Sequence, residues 1–205
     1  MRIITGEARG IALETLEGDA TRPTADRVKE ALFSMIQFDI EGRRVLDLFA
    51  GSGQLGLEAI SRGASGAVFI DSSREAIDIV MKNAAKTKLK DRCRAAVYDF
   101  ASYLENLRED DKFDIIFLDP PYNTDCMMRA LALIAKRGAL REGGTVVCET
   151  DTVAEERRRP KNAPPRDDAA DVLHDVFSDD KGLMEKYAVT RTARYGRSRV
   201  TLLTL

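Results

Sequence analysis

The sequence is poor in the residues that build metal centres and covalent nucleophiles. Its 205 residues include one histidine, His174, and three cysteines, Cys93, Cys126 and Cys148. A single imidazole in a polar segment gives little support to a histidine-based triad or a multi-histidine metal site. The cysteines are odd in number, widely spaced and without a CxxC pair, which argues against a disulfide framework and against zinc. No metal is expected. Long hydrophobic runs are also missing. No stretch approaches the ~18 consecutive apolar residues of a membrane span, and the start, MRIITGEARG, lacks the apolar segment of a signal peptide. The expectation is a soluble, cytoplasmic protein with no membrane partner. Its chemistry must rest on carboxylates, backbone groups and a bound cofactor.

What remains is an ordinary globular composition. Hydrophobic residues make up 44% and charged residues 32%, which excludes a largely disordered or fibrous chain. A mass of 22.7 kDa suits one well-packed core. The formal net charge of -2 does not advertise a nucleic-acid binder, but its distribution is uneven. From Lys186 onward come Lys186, Arg191, Arg194, Arg197 and Arg199 with no acidic residue, and KNAAKTKLKDRCR (82–94) opposes six basic side chains to Asp91 alone. Phosphate attraction depends on such local patches, although a solvated surface gives the same pattern.

Two periodicities alternate through the middle of the chain. Short apolar runs at 44–49, 66–71, 93–98, 113–118 and 144–149 read as strands buried on both faces. Between them, 54–62, 73–87, 100–108 and 127–138 have helical spacing, the last ending at Gly138. The alternation predicts an α/β fold, Rossmann-like, with a doubly wound and mostly parallel sheet. Ahead of it, 24–38 reads as a helix with Thr24 as its N-cap, and RIIT and IALETL flank a GEARG turn as a small β-hairpin. Residues 1–40 are thus expected to extend a main domain at 41–205. A polar, proline-rich excursion follows at about 154–171. YAVTRTAR and RSRVTLLTL then form an antiparallel C-terminal strand pair turning at Tyr195-Gly196.

The first strand runs into AGSGQLG, where Gly51, Gly53 and Gly56 satisfy G-x-G-x-x-G between a strand and a helix. This pattern serves dinucleotides and S-adenosylmethionine alike, and Asp71 at the end of the second strand stands where ribose hydroxyls would bind in either case. Asp47, four residues before Gly51, favours the second ligand. A carboxylate so close in low dielectric repels a pyrophosphate but tolerates an ammonium and a sulfonium. Phe49, Ser52 and Ser72 flank these positions and belong to the same expected surface. Asp99, ending the third strand, is placed to accept from an adenine amino group, with Phe100 packing on the ring.

The fourth strand ends in DPPY. Ligands of open α/β sheets bind at the carboxyl ends of the strands, so Asp119 should face the reactive end of the cofactor. Pro120 and Pro121 stiffen the turn and present carbonyls. An Asp oxygen and a proline carbonyl make a two-acceptor clamp for an exocyclic amino group, and Tyr122 offers a face for an unstacked base.

VLDLFAGSGQLGLEAISRGA with FLDPPY, preceded by RIITGEARG and TRPTADRVKEALF, resembles the bacterial RsmD family over residues 1 to about 150. Its members are S-adenosylmethionine-dependent enzymes that methylate the N2 amino group of a guanine in 16S ribosomal RNA. The resemblance implies that Thr21, Arg22, Pro23 and Thr24 close over the methionine end of the cofactor, with Arg22 pairing its carboxylate. It also implies RNA contacts by Arg2, Arg9 and Arg27; Arg22 and, in the C-terminal basic patch, Arg194 are further candidates for RNA contact. The expected substrate is small-subunit RNA, within a 30S particle or an assembly intermediate, and the expected state a monomer. Gln54 departs from the small residue usual in the family, Asp71 from its commoner glutamate, and RSR after Tyr195-Gly196 from its acidic-Thr pattern. Three alternatives stand beside this reading. One is a DNA amino-methyltransferase acting on adenine N6 or cytosine N4, although no segment is long enough for a base-reading domain. The others are a non-catalytic cofactor- or RNA-binding assembly factor and a nicotinamide-dependent dehydrogenase.

Overall fold

The segment FDIIFL contains five apolar residues and one aspartate, and all six positions of its strand, β4 (Phe113–Leu118), are buried. That is the signature of a strand covered on both faces. A computed structural model of the chain describes residues 1–16, 23–121, 124–152 and 180–205, without the side chains of residues 23–25 and 181. The expected 154–171 excursion lies outside the described residues.

The other strands are β1 (Arg44–Asp47), β2 (Gly66–Asp71), β3 (Cys93–Val97), β5 (Leu140–Asp151), β6 (Ala188–Tyr195) and β7 (Ser198–Thr204). They form one seven-stranded sheet in the order β3-β2-β1-β4-β5-β7-β6. β1 to β5 are parallel, while β7 runs antiparallel to both β5 and β6. The mostly parallel, doubly wound sheet with an antiparallel C-terminal pair is therefore what the sequence predicts. Strand order reverses between β1 and β4, so a crevice opens between their carboxyl ends.

Side chains alternate between two cores, as the period of a strand requires. On one face Val45, Phe69, Phe117 and Val147 meet α1 (Pro23–Met35), α2 (Gln54–Ser61) and α3 (Arg74–Lys86). On the other, Leu46, Leu48, Ile116 and Leu118 meet α4 (Phe100–Glu105) and α5 (Cys126–Arg137). The side chain of Ser73 caps α3, and Gly138, at φ 59°, ends α5.

Several local expectations change. α1 begins at Pro23, the position a helix tolerates best for proline, so Thr24 lies inside the first turn and is not the N-cap. β5 begins at Leu140, not residue 144, because Leu140 pairs with Phe113 before an irregularity restores register at Thr145. The final turn falls on Gly196-Arg197, since Tyr195 still pairs with Ser198. The N-terminal hairpin reduces to one bridge, Arg2 to Ala12, and its turn leans on α2: the Glu7 and Ala8 amides donate to the Ser61 carbonyl and hydroxyl at 2.9 and 3.0 Å.

Gly56 sits inside α2, where glycine is normally unfavourable, because a Cβ there would stand 2.3 Å from the Phe69 ring. Gly56→Ala is expected to cost about 1–3 kcal/mol through this overpacking. Equilibrium urea unfolding measures it, and a neutral or stabilising result would contradict the packing.

Candidate active site

A cleft of about 630 Å³ lies at the carboxyl ends of β1, β2, β4 and β5. Its floor is Asp47, 2% exposed, whose Oδ2 accepts the Gly56 amide in the first turn of α2 at 3.0 Å. An anion at a helix start is well placed, yet burial dominates and pushes this carboxyl up to about 7, with Asp71 adding to the rise and the Gly56 amide opposing it.

An unfolded aspartate releases its proton near pH ~4. Between about 4 and 7 the folded state holds a proton that the unfolded state has lost. Asp47 therefore costs stability progressively over that window and in full above it. Asp47→Asn, which keeps an acceptor for Gly56, should leave the melting midpoint unchanged near pH 4. At pH 8 it should raise the midpoint by about 2–4 °C for each kcal/mol recovered. Equal shifts at both pH values would show that the cost is not ionisation.

The glycine loop is pinned from two strands, the Leu48 amide donating to Phe117 and the Ala50 amide to Ile70. Asp71 holds the loop further: its Oδ2 accepts the Gly51 amide at 2.9 Å and its Oδ1 the Ser73 amide at 2.8 Å. Carboxylate oxygens retain acceptor capacity beyond these two bonds. Asn83 on α3 ties the loop to the N-terminal segment, donating to the carbonyls of Ser52 and Glu14. Asp99 caps α4 by accepting the Ser102 amide at 3.0 Å, and the Phe49 and Phe100 rings meet at 5.1 Å across the cleft wall.

Asp47, Phe49, Gly51, Ser52, Asp71, Ser72, Asp99, Phe100, Asp119, Pro120 and Pro121 all line this one cleft. Gly53 does not. At φ +77° it needs a glycine, but a Cβ there would meet Val80 and Phe69 in the core rather than a ligand. The Pro121 carbonyl accepts from the Thr124 hydroxyl at 2.8 Å. Arg22 and Tyr122 lie outside the described residues, as does the Thr24 side chain. Arg2, Arg9, Arg27 and Arg194 are exposed. Arg2 stands 3.7 Å from Asp26 of α1. Arg194 lies near the end of β6, which points the same way as β1 to β5 and so ends on the side of the cleft.

Sequence reasoning missed three groups in or behind the cleft and noted a fourth, Gln54, only as a departure from the family pattern. Lys29 lines it, 2% exposed, donating to the Arg2 carbonyl and lying 3.5 Å from Glu58. Its burial lowers the ammonium pKa, against the pull of Glu58. Glu58 itself is fully buried and accepts the Ile4 and Thr5 amides at 2.7 and 3.0 Å and Arg62 at 2.8 Å. A lone glutamate in the apolar stretch LGLEAI was the available signal. Gln54 lines the cleft too, and its Oε1 is a buried oxygen with no hydrogen-bond partner among the described residues. Glu149 ends the apolar run of β5 much as Asp119 follows β4, so the rule that found one should have found the other.

A family model described as conserved hypothetical protein 95 matches residues 1–168. Ribosomal RNA small subunit methyltransferase D of Haemophilus influenzae is 35% identical over 74% of this chain and 79% of its own length. The protein of the same name from Escherichia coli is 34% identical over 74% of this chain and 75% of its own. Among solved structures, a conserved hypothetical protein of Streptococcus pyogenes superposes with a TM-score of 0.65 at 32% identity, covering 85% of this chain and 93% of that one. The kinship first suggested by a glycine loop and a DPPY turn on one sheet thus extends along most of the chain, and the protein belongs to the RsmD family.

Proposed function

We propose that the cleft binds S-adenosylmethionine and that the protein methylates the exocyclic N2 amino group of a guanine in small-subunit ribosomal RNA. The observation that carries this reading is the placement of Asp119 and Pro120 in the same cleft as Asp47, Asp71 and the glycine loop. Two features fit this cofactor. The buried Asp47 carboxyl opposes a pyrophosphate but suits a cationic ligand, and the unpartnered Gln54 Oε1 offers an acceptor for an ammonium donor. When bound, the cofactor supplies an electrophilic methyl group on a sulfonium.

The chain does the positioning. Asp71 takes ribose hydroxyls, Ser72 lies beside them, and Asp99 accepts from the adenine amino group between Phe49 and Phe100. Gly51 and Ser52 line the methionine side, which Arg22 and Thr24 close. Asp119 Oδ and the Pro120 carbonyl accept the two N–H bonds of the target amino group, orienting its lone pair, and Asp119 offsets positive charge as it develops on nitrogen. Tyr122 supplies the stacking face. Arg2, Arg9, Arg22, Arg27 and Arg194 bind RNA phosphates, with residues 1–40 acting as the RNA-side extension. The substrate is a folded 30S particle or assembly intermediate met by a monomer.

The test offers tritiated methyl donor with unmodified small subunits, naked small-subunit RNA and duplex DNA, and identifies the product nucleoside by mass spectrometry. N2-methylguanosine in the ribosomal substrate is the expected product. Label only in DNA would replace this reading with an amino-methyltransferase of DNA. Cofactor binding without transfer would replace it with an assembly factor.

A further inference from the structure

We propose that Glu149 accepts the ring N1–H that neighbours the amino group on guanine, and so selects guanine over the other amino-bearing bases. This rests on the methyltransferase reading above and names the group that sets its base specificity.

The placement comes from strand register. β4 and β5 are parallel, with Leu118 paired to Cys148, so the next residues, Asp119 just past β4 and Glu149 still within β5, stand side by side. Both line the cleft, together with Pro120 and Pro121. Glu149 is partly buried and bonds to the hydroxyl of Ser198 on β7. One such bond leaves a carboxylate able to accept others. Burial raises the pKa of this carboxyl against the pull of Ser198, and a donated N–H from a ligand would favour its charged form.

The chemistry of the bases supplies the rest. Guanine carries a ring N–H donor beside its exocyclic amino group. Adenine and cytosine carry a ring acceptor, N1 or N3, at the equivalent place. With Asp119 and Pro120 occupied by the amino hydrogens, an adjacent carboxylate completes a row of acceptors that guanine fills with donors. Against adenine or cytosine the same carboxylate meets a lone pair and is left desolvated and unpaired.

The experiment compares wild type and Glu149→Gln on small-subunit particles carrying guanine or 2,6-diaminopurine at the mapped target position. Diaminopurine keeps the 2-amino group but replaces the ring donor by an acceptor. Wild type is expected to prefer guanine by about 10- to 100-fold, the worth of one hydrogen bond to a charged group. In Glu149→Gln the side-chain amide can donate to the diaminopurine ring nitrogen, and the preference should collapse to within a few-fold or invert. Because each ratio is read within a single variant, partial misfolding does not affect it. Equal slowing on both substrates, or an unchanged preference, would overturn the assignment and leave Glu149 a structural partner of Ser198. Wild type that binds cofactor but transfers nothing to the guanine particle would overturn the methyltransferase reading, and this assignment with it.

Discussion

Asp119→Ala is expected to lower methyl transfer by about 10³-fold, the scale on which removing one preorganised electrostatic group acts, while the cofactor dissociation constant changes by no more than a few-fold. Asp119 follows β4, beyond the last residues paired to β1 and β5, and lines the cleft, where the proposed mechanism sets it at the reacting end. The loop has its own anchors in Asp71, Asn83 and the amides of Leu48 and Ala50. On the proposed mechanism, losing the Asp119 carboxylate removes one acceptor for the target amino group and the charge that offsets developing positive charge on nitrogen, and leaves those anchors in place. Single-turnover transfer and calorimetric titration of S-adenosylhomocysteine separate the two quantities. A binding loss as large as the rate loss would assign Asp119 to the cofactor site instead. Asp119→Asn keeps an acceptor but not the charge, and should fall between Ala and wild type.

Glu58→Ala is expected to destabilise the fold by about 3–5 kcal/mol, the usual cost of removing one partner from a buried charge network. Four donors converge on this carboxylate: two amides of the N-terminal segment, Arg62 and Lys29. Truncation leaves the two amides without their acceptor and the Lys29 ammonium, 2% exposed, without its main counter-charge, with only Asp26 left to attract it. Urea unfolding measures the loss. Adding Lys29→Met to Glu58→Ala should restore part of it, because an apolar replacement of both partners no longer buries an uncompensated cation. A loss below about 1 kcal/mol would mean that Glu58 does not hold the N-terminal segment onto α2. The same network sets how Met1 and Lys29 face the cleft, so the variant should also weaken cofactor binding.

The elements legible in the sequence are those governed by local rules. The run FDIIFL is buried throughout because a central parallel strand has no solvent face, and such a run is visible in one dimension. Gly138 at the end of α5 is likewise a local signal. The carboxylates Asp47, Asp71, Asp99 and Asp119 were legible because crossover connections carry the carboxyl ends of parallel strands to one edge. Position relative to a strand end was therefore enough to place them in one cleft. At Gly53 the motif says that a glycine is needed but not which neighbour requires it. Only the packed structure shows Val80 and Phe69 on the side where a Cβ would project.

By itself the sequence determined the strand and helix order, the parallel sheet, the glycine loop and DPPY turn at its carboxyl edge, and the family those motifs mark. Each of these depends on periodicity or on residues close together in the chain. Tertiary structure alone decided that Glu58 gathers residues 4, 5, 29 and 62 and that Asn83 links the glycine loop to residue 14. These contacts join groups up to 69 positions apart. Burial, not chain distance, makes them strong, because a polar group removed from water must find whichever partner the packed core brings within reach.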